Sequence, residues 1–84
     1  MTVLLWDFFG PAAEGTARHF RRHLDEFLGR EGIGGCTTGV DAAGEGHFTA
    51  WLRGPEAAAG IVARVLRPRR RREERGDEER DPVN

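Results

Sequence analysis

Residues 2–9 read TVLLWDFF, and this stretch decides the fold because most of its residues favour extended backbone. The pair Gly10-Pro11 follows, which ends a strand and suits the start of a helix. Side chains alternate along a strand, so both faces of this one are largely apolar. One layer of helices covers only one face of a sheet. The stretch therefore predicts a strand whose second face needs another cover.

Two amphipathic helices are predicted, each following a strand and a Gly-Pro pair. The apolar residues of the first recur at steps of three and four: Ala13, Ala17, Phe20, Leu24, Phe27 and Leu28. Gly32 is the expected left-handed cap of this helix. The second helix carries the apolar residues Ala58, Ile61, Val62, Val65 and Leu66. It should end near Arg67, because Pro68 disfavours helical backbone in the residue before it.

A hairpin is predicted between the two helices. Residues 34–40 indicate a poor, glycine-rich edge strand, residues 41–46 a turn, and residues 47–53 a strand with clean alternation. One alternate set of the last strand is apolar and should face the core: Phe48, Ala50 and Leu52. The other set should lie on the opposite face: His47, Thr49, Trp51 and Arg53.

The predicted order is β-α-β-β-α over residues 1–68. This order resembles a ferredoxin-like two-layer α+β sandwich, with an antiparallel sheet and both helices on one face, from which the fourth strand is absent. The resemblance implies the strand order second, third, first, and so leaves the first strand at an edge. Residues 69–84 carry almost no apolar side chain, so we expect a charged, disordered tail.

The length and composition limit the number of domains and the classes of partner. A chain of 84 residues with net charge −1 has room for one domain and no long-range positive field. A single cysteine, no secretory signal and no membrane-length apolar run predict a cytoplasmic protein without a membrane partner. All 13 basic residues are arginine, which suggests a GC-rich, bacterial source. The chain has no cofactor-binding motif of known spacing, so no cofactor is predicted.

Self-association is the favoured functional prediction. An unprotected apolar edge and a second apolar face would make the monomer prone to aggregate unless something covers them. We therefore expect a non-catalytic interaction or ligand-binding module that forms a homodimer through its sheet, by the strand edge or by the sheet face. The predicted dimer interface consists of Val3, Leu5, Phe9 and Trp51. A protein partner is a further expectation.

The first alternative is an enzyme or small-molecule binder resembling a dimeric α+β barrel. In the expected antiparallel register, Asp7 neighbours His47 and Thr49, and an Asp beside a His is a common general-base arrangement. Asp7 and His47 are therefore weak catalytic candidates, against the simpler interpretation of a carboxylate satisfied by cross-strand hydrogen bonds. The predicted ligand-binding residues are Phe9, Thr49 and Trp51.

Two weaker hypotheses concern metal and nucleic acid. His19 and His23 lie four residues apart, with Glu26 close by, which is compatible with a metal site but more typical of a solvated helix flank. No metal is predicted. The arginines that begin at Arg67 could contact phosphates, which makes a nucleic-acid accessory protein the second alternative. Acidic residues follow at once, so nucleic acid is not favoured.

Overall fold

The computed structural model describes residues 1–74, and the elements below are those of this part of the chain. The strands are β1 (Thr2–Phe9), β2 (Thr37–Gly44), β3 (His47–Gly54) and β4 (Arg70–Glu73). The helices are α1 (Ala13–Glu31) and α2 (Glu56–Leu66). The sheet has the order β2-β3-β1-β4, and all neighbouring strands are antiparallel. This is the arrangement of a small ferredoxin-like α+β sandwich, as the order of predicted elements indicated.

The predicted absence of a fourth strand is wrong. Residues of β4 pair with β1, from Leu5 opposite Arg70 to Thr2 opposite Glu73, so β1 lies inside the sheet and not at its edge. The compact body therefore continues past residue 68. Sequence periodicity missed this strand because it contains no apolar residue, and its place depends on backbone pairing. Residues 75–84, the rest of the predicted tail, lie outside the described residues.

The core lies between the sheet and the two helices. Its buried members are Leu4, Trp6, Leu24, Leu28, Leu52, Ala59 and Val62. Trp6 also packs against Phe20, with ring centroids 4.9 Å apart, and its Nε1 donates to the carbonyl of Leu66 at 3.0 Å. That bond satisfies a carbonyl at the C-terminal end of α2, where helical carbonyls lack partners within the helix. The tryptophan of β1 therefore holds both helices against the sheet.

The first helix ends as its sequence predicts. Gly32 has φ 67°, in the left-handed region, and the N–H of Ile33 donates to the carbonyl of Leu28 at 2.9 Å. This bond is the one that a Schellman motif makes at a helix C-terminus.

The β2–β3 hairpin differs from its prediction in length. β2 begins at Thr37 and continues through Gly44, with an irregularity between Ala42 and Gly44, so only Glu45 and Gly46 connect the two strands. Gly46 has φ 65°, a conformation that glycine adopts without strain. Residues 41–44, whose composition is typical of a turn, therefore form part of an edge strand, where few side chains have to pack against the core.

No helix among residues 1–74 is long and apolar enough to cross a membrane.

Candidate functional site

The face of the sheet away from the helices is called the open face below. Its residues are Val3, Leu5, Asp7 and Phe9 of β1, His47, Thr49, Trp51 and Arg53 of β3, Gly39 and Asp41 of β2, and Arg70 and Arg72 of β4. The register between β1 and β3 is the predicted one, with Asp7 opposite Thr49 and Phe9 opposite His47. The open face therefore brings the predicted catalytic, ligand and interface residues onto one surface.

Asp7 is the centre of a polar network on the open face. Its Oδ1 accepts hydrogen bonds from Thr49 Oγ1 at 3.0 Å and from Arg70 Nη2 at 2.7 Å, and His47 Nε2 lies 2.9 Å from the same oxygen. Its Oδ2 accepts a bond from Arg70 Nε at 3.0 Å. The side chain of Asp7 is only 8% exposed. Every oxygen of this carboxylate is thus engaged, and the contact with Arg70 is a two-point contact of the strong, charge-assisted kind.

This network determines the protonation of Asp7. The Arg70 guanidinium holds the pKa of the Asp7 carboxyl far below its usual range, and the hydrogen bonds from His47 and Thr49 act in the same direction against the effect of burial. A carboxylate with so low a pKa is a weak proton acceptor at neutral pH. The geometry that the sequence predicted for Asp7 and His47 is present, but it favours a structural carboxylate over a general base.

A concavity of ≈ 410 Å³ lies on the open face beside this network. Its lining consists of Val3, Leu5, Asp41, Ala42, Ala43, Thr49, Trp51, Arg53, Arg70, Arg72 and Glu74. The largest apolar members, Leu5 and Trp51, are directly opposed across β1 and β3. Glu74 accepts a hydrogen bond from Arg53 at 2.7 Å and lies 3.6 Å from Arg72. The concavity thus combines an apolar centre with three guanidinium groups, and its volume is within the usual range for small-ligand sites.

Trp51 occupies its place because its neighbour on β2 has no side chain. A Cβ at Gly39 would lie 2.6 Å from Cε2 of Trp51, so any other residue there would displace the indole. The indole occupies the space beside Gly39, and its Nε1 is buried without a hydrogen-bond partner in residues 1–74. A buried donor of this kind costs about 1–3 kcal/mol. Of the three predicted ligand-binding residues, Thr49 and Trp51 line the concavity in the structure. Phe9 is not part of its lining.

Phe9 lies at the end of the open face. It is 66% exposed, and its ring stacks on His47 with centroids 4.3 Å apart and an angle of 21° between the planes. Of the other predicted interface residues, Val3 is 3% exposed, and Leu5 and Trp51 are half-buried. Arg72 lies opposite Val3, and Arg70 lies opposite Leu5, in the pairing of β1 with β4.

The histidine pair of α1 is on the solvent side of the helix, away from the open face. His19 and His23 have their Nε2 atoms 3.0 Å apart, and Glu26 lies 3.6 Å from the other ring nitrogen of His23. Residues 1–74 contain no group of three or more His, Cys, Asp or Glu side chains placed to hold a metal ion. Cys36 packs at the edge of the core, and burial raises the pKa of its thiol, which disfavours the reactive thiolate.

Three described arginines of the run are paired with carboxylates, whereas Arg67 and Arg69 have no ion pair within residues 1–74. Arg70 binds Asp7, Arg71 lies 3.2 Å from Glu73, and Arg72 lies 3.6 Å from Glu74. These pairs reduce the charge available to phosphates. Sequence reasoning missed the roles of Arg70 and Arg72 because it assigned them to a tail. Residues 69–72 are all arginine, so no alternation in this stretch indicates a strand.

Comparison with known proteins does not identify a function for this site. No family model matches the chain, and neither a curated protein nor a solved structure matches it. The ferredoxin-like architecture hosts many unrelated functions, so function has to be argued from the open face itself.

Proposed function

We propose that this protein is a small, non-catalytic binding module whose open face holds an organic ligand with a flat apolar part and an anionic end. The observation that carries this proposal is the concavity, in which Leu5 and Trp51 lie beside Arg53, Arg70 and Arg72. The apolar pair offers surface to a ring. The guanidinium groups retain N–H donors beyond those used within the chain, because each has five.

The charges near the concavity indicate how such a ligand would be held. Three arginines there are balanced by Asp7, Asp41 and Glu74, so the region has no net charge. Recognition would therefore depend on direct, charge-assisted hydrogen bonds and not on long-range attraction. The ionised and fully engaged Asp7 supports a binding role over catalysis, because it has no free oxygen to accept a proton from a substrate.

Binding of anilinonaphthalene sulfonate tests the proposal. This dye combines an aromatic body with one sulfonate, and bound dye should fluoresce and accept energy from Trp51. Arg53→Gln and Arg72→Gln should each weaken dye affinity at least about 10-fold, the effect of one charge-assisted hydrogen bond. Arg22→Gln, on the exposed surface of α1, is the matched control and should leave affinity unchanged.

Two results would contradict the proposal. The first is dye affinity that is the same in wild type and in both open-face variants. The second is loss of binding in Ile61→Ser, because Ile61 lies on the outer surface of α2 and not in the concavity. Circular dichroism of each variant separates loss of binding from loss of fold.

The second candidate function is self-association through the open face, for which the exposed Phe9 is the specific support. Its ring, which stacks on His47, is an exposed aromatic surface at one end of the sheet. Phe9→Ser should then lower the sedimentation coefficient at high protein concentration. An unchanged coefficient would count against this candidate.

A further inference from the structure

The outer surface of α2 is apolar, which is unusual for a helix on the surface of a domain. Ala59 and Val62 face the core, yet Ile61 is 42% and Val65 56% exposed on the other side. With Ala57 these two form a row at spacing four, which runs along one side of a helix. This row is called the apolar row below.

A second row, also at spacing four, lies beside the apolar row and consists of Glu56, Gly60 and Arg64. The two charged residues are about 12 Å apart along the axis, since each residue rises about 1.5 Å, so they cannot pair with each other. Within residues 1–74 neither has an ion-pair partner. The exposed side of α1 is different, because Arg18 binds Glu14 at 2.8 Å there.

Gly60 separates the two charged residues and leaves a gap in the surface. A Cβ built at Gly60 would meet nothing within 4 Å, so packing inside the chain does not require glycine there. Glycine in the middle of a helix costs about 1 kcal/mol relative to alanine. What this glycine does provide is space for another helix to approach closely.

We propose that α2 packs antiparallel on α2 of a second copy of this chain, with the two-fold axis at Gly60. Rows at spacing four on the two helices then interdigitate, which is the common way for helices to pack. The axis brings Glu56 of each copy to Arg64 of the partner subunit, and the reverse contact follows by symmetry. Ala57 and Ile61 lie at the flank of this contact, whereas Val65, about 140° around the helix from Gly60, lies outside it. Both charged residues gain partners.

A second copy fits this surface because the charges are complementary under the two-fold operation. An unrelated partner would need its own acid and base at matching positions. The contact involves one helix of 11 residues per copy, so it is small, and a weak, concentration-dependent dimer is expected. The open face stays free in this dimer, and the inference does not depend on the proposed ligand.

Exchange of the two charges tests the dimer. Sedimentation velocity on the full chain over a roughly hundredfold span of concentration, from about 5 to about 500 µM, measures a weak self-association. Glu56→Arg and Arg64→Glu should each weaken association at least 10-fold, because each places like charges together at both ends of the interface. The double variant Glu56→Arg/Arg64→Glu should restore it. The matched double variant on α1, Glu14→Arg/Arg18→Glu, should behave as wild type.

Gly60→Leu provides a second test that does not depend on charge. The monomer has space for the side chain, so circular dichroism should show a folded protein, while the dimer should be lost because the helices can no longer approach. A wild-type protein that stays monomeric throughout the range overturns the proposal. So does failure of the double charge exchange to restore association. A dimer broken by Phe9→Ser and not by the α2 variants would also overturn it and would assign association to the open face.

Discussion

The two faces of β1 are stabilised in different ways. On one face Leu4 and Trp6 lie beneath the helices in an apolar core. On the other, Leu5 and Asp7 lie beside arginine side chains, and Asp7 is held by Arg70. The polar edge strand β4 thus places arginine side chains on the second face of this sheet. Apolar burial protects one side, and charge pairing protects the other.

The difference has a consequence for how each face responds to solution conditions. Burial of apolar surface is insensitive to pH, whereas an ion pair weakens when its carboxylate is protonated. The core face should therefore determine most of the free energy of unfolding. The open face should determine how that free energy changes with pH and should remain accessible to ligands.

The largest expected change in the free energy of unfolding comes from replacing one of two neighbouring leucines that lie on opposite faces of β1. Leu4→Ala should lower the free energy of unfolding by about 3 kcal/mol, because it leaves a cavity in the core. Leu5→Ala should lower it by about 1 kcal/mol, since Leu5 is only half-buried. Urea unfolding followed by tryptophan fluorescence measures both. Equal losses would mean that the open face is buried as completely as the core.

A smaller effect, of about 2 kcal/mol at neutral pH, is expected for Asp7→Asn, which removes the charge that Arg70 binds. The pKa of Asp7 is lower in the folded than in the unfolded state, so the stabilisation is fully present above about pH 5 and decreases as the pH falls below about 4. The difference between wild type and variant should therefore shrink in acid.

Asp41→Asn is the control for this pH dependence. Asp41 lies on the same face and has no ion-pair partner in the described part of the chain, so its replacement should change stability by less than about 0.5 kcal/mol. A difference between wild type and Asp7→Asn that stays constant down to about pH 2 would contradict the role assigned to the Arg70 pair.

The smallest effects distinguish the two tryptophans. Trp6→Phe should cost about 1.5 kcal/mol, because it removes the hydrogen bond to the carbonyl of Leu66. Trp51→Phe should stay within about 0.5 kcal/mol of wild type, because removing a buried donor without a partner offsets the smaller ring. Thermal unfolding of both variants provides the measurement. A large loss for Trp51→Phe would indicate that its Nε1 has an acceptor.

Much of the fold could be predicted from periodicity. The sequence predicted α1 from its apolar residues at steps of three and four, and it predicted β1 and β3 from their composition and alternation. Pairing these two strands predicted the register that brings Asp7 to Thr49. The candidate site was predicted less well, because its decisive residue, Arg70, lies in a strand without apolar side chains. Such a strand has no hydrophobic pattern, and its position follows from the free backbone groups of β1.

The amino-acid sequence by itself determined the α+β class, the core face and the proximity of Asp7 to His47 and Thr49, because these follow from local alternation and from pairing of strong strands. Only the tertiary structure decided that β1 lies inside the sheet, that Arg70 neutralises Asp7, and that Arg70 and Arg72 lie opposite Leu5 and Val3. The physical reason is that these contacts join residues more than 60 positions apart through backbone and charge pairing, which leave no periodic pattern in the sequence.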